Sequence, residues 1–416
     1  MNRERKVVIT GMGVVSCAGN SLPEFWASLV SGRSGIGPRT LFESDDLPSA
    51  VGEVRNYDPP ELSLHDARRM ARFTRFAVGA AGEALKRAGL DPSPEKRGGD
   101  PFRFGVLFSS SLGGVDAYDQ GVAALDARGP NGVSAFFVPK FMPNAASGTV
   151  AIRFGLKGPN FAPTSACASG ASSIGEGAWL IRRGDADLVL AGGADSSITP
   201  LVTGGFNALT ALSRIMPPEE SCRPFDLHRE GFVLAEGACA LVLEELEHAL
   251  DRGAPILAEV AGYGASCDAS HITAPDPTGA GMACAVRRAL EGAALSPAQV
   301  GAVYAHGTGT VANDLAESKV LSSVFRQALP DLRVCAVKSM IGHALGASAA
   351  LAAAAAVQTL STGLIPPTIN CTDPDPACPL NLTTEGPVRT ETGAVLIDAL
   401  GFGGHNAALI LKKWEK

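Results

Sequence analysis

Short apolar, β-branched runs recur along the chain at residues 6–10, 104–109, 188–191, 239–244, 256–260, 303–306, 334–337 and 394–399, with alanine-rich stretches of helical spacing between them. Runs that do not alternate between apolar and polar positions read as strands covered on both faces. Their alternation with helices predicts an α/β fold with buried sheets.

One helix can be placed more closely. Ser63, with Asp66 three residues on, has the form of an N-terminal cap, and Met70, Phe73, Ala77, Ala80, Ala84 and Ala88 follow at helical spacing until Gly89 closes the run. The other face carries Arg68, Arg72 and Arg75, with Arg69 adjacent, the densest basic cluster in the chain. That cluster is either a solvated helix face or a docking surface for an acidic partner.

The two halves repeat one another. Cys167-Ala-Ser-Gly-Ala-Ser and His343-Ala-Leu-Gly-Ala-Ser each lead into a helical stretch. The strand at 105–108 running into Ser109-Ser110-Ser111-Leu112-Gly113-Gly114 is mirrored by 303–305 running into His306-Gly307-Thr308-Gly309-Thr310. An internal duplication follows, with halves 1–252 and 253–416 meeting at Asp251-Arg252-Gly253-Ala254-Pro255 and facing each other across equivalent loops.

Composition narrows the class. With 46% apolar residues in 416, the chain is long enough for a substantial core. Its 48 glycines and 28 prolines are spread throughout, which argues against a low-complexity linker. A net charge of −7 argues against nucleic-acid binding. Nine cysteines with no CxxC spacing predict neither a disulfide framework nor a metal site. The N-terminal apolar run meets Gly11 and reads as a first strand rather than a leader. The alanine-rich stretch 349–357 falls short of the roughly 20 residues that span a bilayer. The expectation is a soluble protein of a reducing compartment, the cytoplasm, without membrane insertion.

Cys167 stands among small residues just ahead of a helix, where exposed N–H groups and the helix dipole are expected to lower its pKa. Taken alone, a cysteine among alanines is far more often an inert core residue; the pairing by duplication with His343 raises this one. His306 and His343 both lie beside glycine, at a strand end and a helix start. A cysteine nucleophile with two histidines suits acyl transfer followed by charge stabilisation on a carbonyl oxygen. Lys338 supplies a cation able to hold a neighbouring imidazole neutral, and Asp314 and Glu317 are placed to anchor that lysine and the loops.

Together Cys167 in its context, His306 to Thr310 with Asn313-Asp314 and Glu317, Lys338 to His343 with Gly346-Ala347, the stretch 223–237, and Gly401-Phe402-Gly403-Gly404-His405-Asn406 resemble the β-ketoacyl-acyl carrier protein synthases of the elongating, decarboxylating kind. The resemblance covers essentially the whole chain and is strongest to the type II fatty acid elongation synthases, with ketosynthase subunits of dissociated polyketide systems next. It implies a thiolase-like fold of five layers, α-β-α-β-α, in a homodimer. It also implies that Cys167 accepts the acyl chain, that His306 and His343 polarise the malonyl thioester carbonyl, and that Lys338 orients His343. The N–H groups of Cys167 and Phe402 would form the oxyanion hole, and Thr308 and Thr310 would bind the phosphopantetheine arm of acyl carrier protein, with no bound cofactor. Leu112 falls in the acyl pocket, and Arg68, Arg69 and Arg72 fall where the carrier protein docks.

The chain departs from this pattern at Asp398-Ala399-Leu400, where the family commonly has Asn-Ser-Phe, so the gate formed with Phe402 is expected to lose one ring at Leu400. A thiolase is disfavoured because the Gly-Phe-Gly-Gly turn carries no cysteine and Lys338 has no place in that mechanism. A non-catalytic chain-length-factor subunit is disfavoured by the presence of Cys167.

Overall fold

The computed structural model describes residues 5–415. The first half contributes β1 (Val7–Ser16), α1 (Arg72–Arg87), β2 (Phe104–Ser109), α2 (Ala145–Phe154), β3 (Asn160–Phe161), α3 (Ser169–Arg183), β4 (Leu188–Ser196) and β5 (Glu236–Glu245). The second contributes β6 (Ala258–Cys267), α4 (Ala280–Gly292), β7 (Ala302–Tyr304), α5 (Val311–Phe325), β8 (Arg333–Cys335), α6 (Ser348–Thr362), β9 (Asn381–Leu382), β10 (Ala394–Gly401) and β11 (His405–Lys412). Hydrogen bonds connect the strands in the order β3-β2-β4-β5-β1-β6-β11-β10-β7-β8-β9. The order reads the same outward from the centre on both sides, β9 apart. The duplication is therefore in the topology, and β1 and β6 join the halves through the antiparallel pairs Val8 with Glu259 and Ile9 with Ala258.

Among the described residues, the three largest of six buried clusters account for the layers. The central core takes the inward residues of both half-sheets, such as Leu107, Leu241, Val395 and Leu409, together with Ile174 of α3 and the alanines of α6. One outer core packs α1 and α2 on Val106, Phe108 and Val242; the other packs α4 and α5 on Val303, Leu396 and Ile410. Neighbouring residues of one strand point into different cores, which is why the runs look uniformly apolar. The five-layer thiolase-like arrangement implied by the resemblance is the one observed. Leu345–Thr362 has membrane-like length and hydropathy, but it is 83% buried as the middle layer.

Two expectations need correction. Ser63 does cap a helix, its Oγ accepting from the Asp66 N–H at 3.1 Å, but that helix is only Leu64–Ala67. Backbone at Ala71 is extended, and α1 starts afresh at Arg72, whose N–H donates to Asp116 Oδ2 at 3.1 Å. The internal repeat also has a different register. The turn Ala166–Ala168 ahead of α3 matches Leu345–Ala347 ahead of α6, and each opens on a left-handed residue, Ala166 at φ 49° and Leu345 at φ 45°. Cys167 is thus equivalent to Gly346, three residues beyond His343. Gly-Ala-Ser recurs too freely in small-residue segments to fix the alignment.

Candidate active site

Ala166 holds Cys167 in a turn that an L-residue adopts only when its surroundings enforce it. Here serines do so. Ser169 Oγ and Ser111 Oγ both donate to the Ala166 carbonyl, at 2.6 and 2.9 Å, and the Ser165 N–H donates to Ser169 Oγ at 2.9 Å. The end of β10 lies directly against this turn: a Cβ on Gly401 would stand 2.6 Å from Ser165 O and 3.2 Å from Cys167 N. Only glycine allows that approach, and the N–H groups of Phe402 and Cys167 both act on the Cys167 thiol.

Helix-start polarity does not govern the thiol. Burial pushes the Cys167 pKa up to about 11, Lys338 and the Phe402 N–H pull against it, and Asp195 adds to the rise. Contrary to the expectation from sequence, desolvation outweighs the dipole, so Cys167 rests as the thiol.

His306 and His343 meet edge to face, with ring centroids 5.4 Å apart. Burial, then the charge of Lys338, holds both imidazoles well below their ordinary pKa, so both are neutral. His343 is fixed through its backbone, its N–H donating to Val233 O at 2.7 Å and its carbonyl accepting from Ala235 N at 3.0 Å. Its Nδ1 lies 2.9 Å from Ser348 Oγ. Lys338 Nζ donates to His306 O at 2.5 Å and lies 3.4 Å from His306 Nδ1. Lys338 therefore orients His306 rather than His343, whose partner is Ser348. Lys338 can only donate to His306 Nδ1, which puts that ring's hydrogen on Nε2; the Ser348 hydroxyl, when it donates to His343 Nδ1, leaves Nε2 as the donor there too.

Asp314 and Glu317 project from α5 into the surrounding loops. Glu317 accepts the N–H groups of His306 and Gly307 at 2.7 and 2.8 Å, and Asp314 accepts that of Phe225 at 2.8 Å. Burial raises Asp314 to about 7. Thr308 and Thr310 stand together, with hydroxyls 3.0 Å apart.

Cys167, both histidines, both threonines, Leu112, Leu400 and Phe402 line one cavity of about 550 Å³. Three members of the site were not anticipated. Asp195, at the end of β4, accepts from Ser110 Oγ at 2.6 Å, Ser111 N at 3.0 Å and Gly346 N at 2.7 Å, tying the Leu112 loop to the segment after His343. Phe206 and Phe232 continue the line of rings: Phe402 to Phe206 at 6.3 Å, Phe206 to Phe232 at 5.2 Å, and Phe232 to His343 at 5.3 Å. An acid closing the strand after Gly192-Gly193-Ala194 is the signal for Asp195; Phe232 lies within the stretch 223–237 that carries the resemblance, and nothing local marks Phe206.

The basic cluster divides. Arg68 and Arg69 are exposed, and Arg69 lies over the Phe136 ring at 5.1 Å. Arg72 turns inward, pairing with Glu236 through Nη2 and Nε at 2.6 and 2.8 Å, so its assignment to docking is corrected: it is a structural ion pair. The Gly-Phe-Gly-Gly turn also has a cysteine beside it, since β6 brings Cys267 Sγ to 3.6 Å from Gly403 O. Cys267 is exposed and absent from the cavity lining, so it supplies no second thiol to the site.

Comparison with known proteins gives a consistent picture. Family models for the β-ketoacyl synthase N-terminal and C-terminal domains match residues 4–249 and 257–372. A curated relative, 3-oxoacyl-[acyl-carrier-protein] synthase 2 of Staphylococcus aureus (strain COL), is 41% identical over 100% of both chains. Among solved structures, a ketosynthase/chain length factor for ishigamide is 36% identical, with TM-score 0.91 over 99% of this chain and 100% of that one. A ketosynthase bound to a hexaketide and in complex with its type II polyketide acyl-carrier protein is 30% identical, with the same TM-score and coverage.

Proposed function

The chain belongs to the β-ketoacyl synthase family, and from that premise we propose how it joins an acyl group to malonyl-acyl carrier protein with loss of carbon dioxide, as a 3-oxoacyl-acyl carrier protein synthase of fatty acid elongation. The observation that carries the reading is one cavity holding two neutral histidines and a thiol on which two backbone N–H groups act. Cys167 attacks the acyl-carrier thioester, and its proton leaves with the pantetheine thiol. The N–H groups of Cys167 and Phe402 face the oxygen that becomes negative in the tetrahedral intermediate.

Malonyl-carrier protein then places its thioester carbonyl against the Nε2–H groups of His306 and His343. Both are uncharged donors, so they stabilise the enolate left by departing carbon dioxide without protonating it away. The enolate carbon attacks the Cys167 thioester, and the sulfur leaves as a thiolate that takes up one proton. Thr308 and Thr310 hold the pantetheine arm at the cavity mouth. The carrier supplies the only prosthetic group this chemistry uses, as part of the substrate.

Arg68 and Arg69 suit docking of an acidic carrier protein, being exposed in the turn between the short helix Leu64–Ala67 and α1. Charge reversal at both should raise KM for carrier-bound substrate and flatten its salt dependence, because exposed charges are screened beyond about 10 Å at 0.1 M salt. Unchanged kinetics would return them to a solvated face. A homodimer is supported by the apolar side chains exposed on and after Val115–Arg128, including Val122, Leu125, Val138 and Phe141. The burial of the middle helix and the nine free cysteines support a cytoplasmic enzyme.

A second reading, the ketosynthase of a dissociated polyketide system, is favoured by the hexaketide-bound and ishigamide relatives. Turnover with malonyl-carrier protein and saturated acyl-carrier proteins of increasing length tests the first reading; strong preference for a β-ketoacyl primer would replace it with the second.

A further inference from the structure

The His306 N–H is offered to two carboxylates at once. Glu317 Oε1 and Asp398 Oδ1 each accept it at 2.7 Å. The other Glu317 oxygen is satisfied by Gly307 N at 2.8 Å and Asn313 Nδ2 at 3.1 Å. Asp398 Oδ2, by contrast, is buried and receives no N–H or hydroxyl donor. Two buried acids on one nitrogen, one of them with an oxygen lacking a donor, leave a place for a hydrogen that only a carboxyl group can supply. The other titratable groups nearby are Lys338, whose ammonium burial disfavours, Cys167 and Cys222 facing it, His343 beside His306, and Asp314, whose Oδ2 lies 3.4 Å from Arg229 Nε.

We propose that Glu317 and Asp398 share one proton in the working enzyme, which makes Asp398 a positioning residue for His306. Carrying a single negative charge, the pair balances the ammonium of Lys338 and leaves that ammonium on His306 Nδ1, so Nε2 keeps its hydrogen for the substrate carbonyl. Burial acts in this direction on both acids, lifting Glu317 well above the carboxylate range and Asp398 to about 6. When the shared proton leaves at higher pH, two negative charges crowd one N–H, draw Lys338 away from Nδ1 and release the ring.

The role in turnover rests on the condensation reading; the shared proton does not, and the two are tested separately. Infrared spectra of the resting protein at about pH 8, above the values of about 6 and about 7 to which burial raises Asp195 and Asp314, should show a carboxylic-acid carbonyl band that is lost in both Asp398→Asn and Glu317→Gln. A wild-type spectrum without that band overturns the proposal, and it needs no folded variant. The band should also bleach in wild type as pH rises further. In a Cys167→Gln background, decarboxylation of malonyl-carrier protein should fall on the alkaline side, and adding Asp398→Asn should remove that fall, with the change in kcat and not in KM. Identical alkaline limbs with and without Asp398 would overturn the positioning role.

Discussion

The two turns that face each other at the centre of the molecule share a backbone and differ in chemistry. Each is a short turn opening on a left-handed residue, and each runs into a fifteen-residue helix that begins with serine, Ser169 or Ser348. In the first half the second turn residue is Cys167. In the second it is Gly346, where a Cβ would stand 2.7 Å from Asp195 Oδ2 and 2.8 Å from Ser111 N. The first helix serine binds its own turn, whereas Ser348 reaches back to His343. Duplication supplied two equivalent frames; one carries Cys167, the proposed nucleophile, and the other gives up its side chain to let the Leu112 loop dock and sets its serine against His343.

The comparison breaks first at the cysteine. Cys167→Ala should abolish formation of the acyl-enzyme, read as the loss of a single adduct by intact mass after incubation with acyl-carrier protein. Cys167→Gln should still decarboxylate malonyl-carrier protein, because the second half remains whole. Acylation of any other cysteine would place the nucleophile outside the turn.

Next in size are the histidines. Replacing His306 or His343 by alanine should cost roughly 2–4 kcal/mol in decarboxylation and condensation, the scale of a lost oxyanion donor. Acylation of Cys167, stabilised by backbone N–H groups, should be affected less. Near-normal condensation by His343→Ala would mean that the second half only supports the fold.

The serines sharpen the contrast at about 1 kcal/mol each, the net worth of one hydrogen bond. Ser348→Ala should slow decarboxylation and leave acylation nearly intact; Ser169→Ala should do the reverse. Equal effects of either change on both half-reactions would show that the serines hold the fold and do not divide the chemistry.

What the sequence made legible follows the same division. Cys167, His306 and His343 were readable because local small residues and strand ends mark them. The strands were readable because both faces are buried, leaving uninterrupted apolar runs. The partners of these residues were not: Asp195 meets Gly346 across 151 positions and Arg72 meets Glu236 across 164, and no local pattern encodes such pairs. Lys338 was given the wrong histidine for the same reason. The thiol's pKa failed differently, because position at a helix start is visible in sequence and desolvation is not.

The gate comes last: the sequence marked position 400, and the structure adds a ring at position 206. With leucine at position 400, the ring of Phe402 was expected to be loosely held. Leu400 instead leans on the outer core of the second half while also lining the cavity, and Phe402 faces Phe206, with centroids 6.3 Å apart and planes at 57°. Phe206 in turn meets Phe232 edge to face at 5.2 Å. An aromatic contact of this kind is worth about 0.5–1.5 kcal/mol beyond burial. If Phe402 must swing aside for an acyl chain to enter, Phe206→Leu removes the contact that keeps it closed, and the open state rises by up to about tenfold. Single-turnover acylation of Cys167 should then be faster in Phe206→Leu, and Leu400→Phe should slow it by a smaller factor. Decarboxylation should respond much less to either change, since it draws on the histidines and not on the acyl pocket. A larger effect from Leu400→Phe than from Phe206→Leu would return control of the gate to position 400.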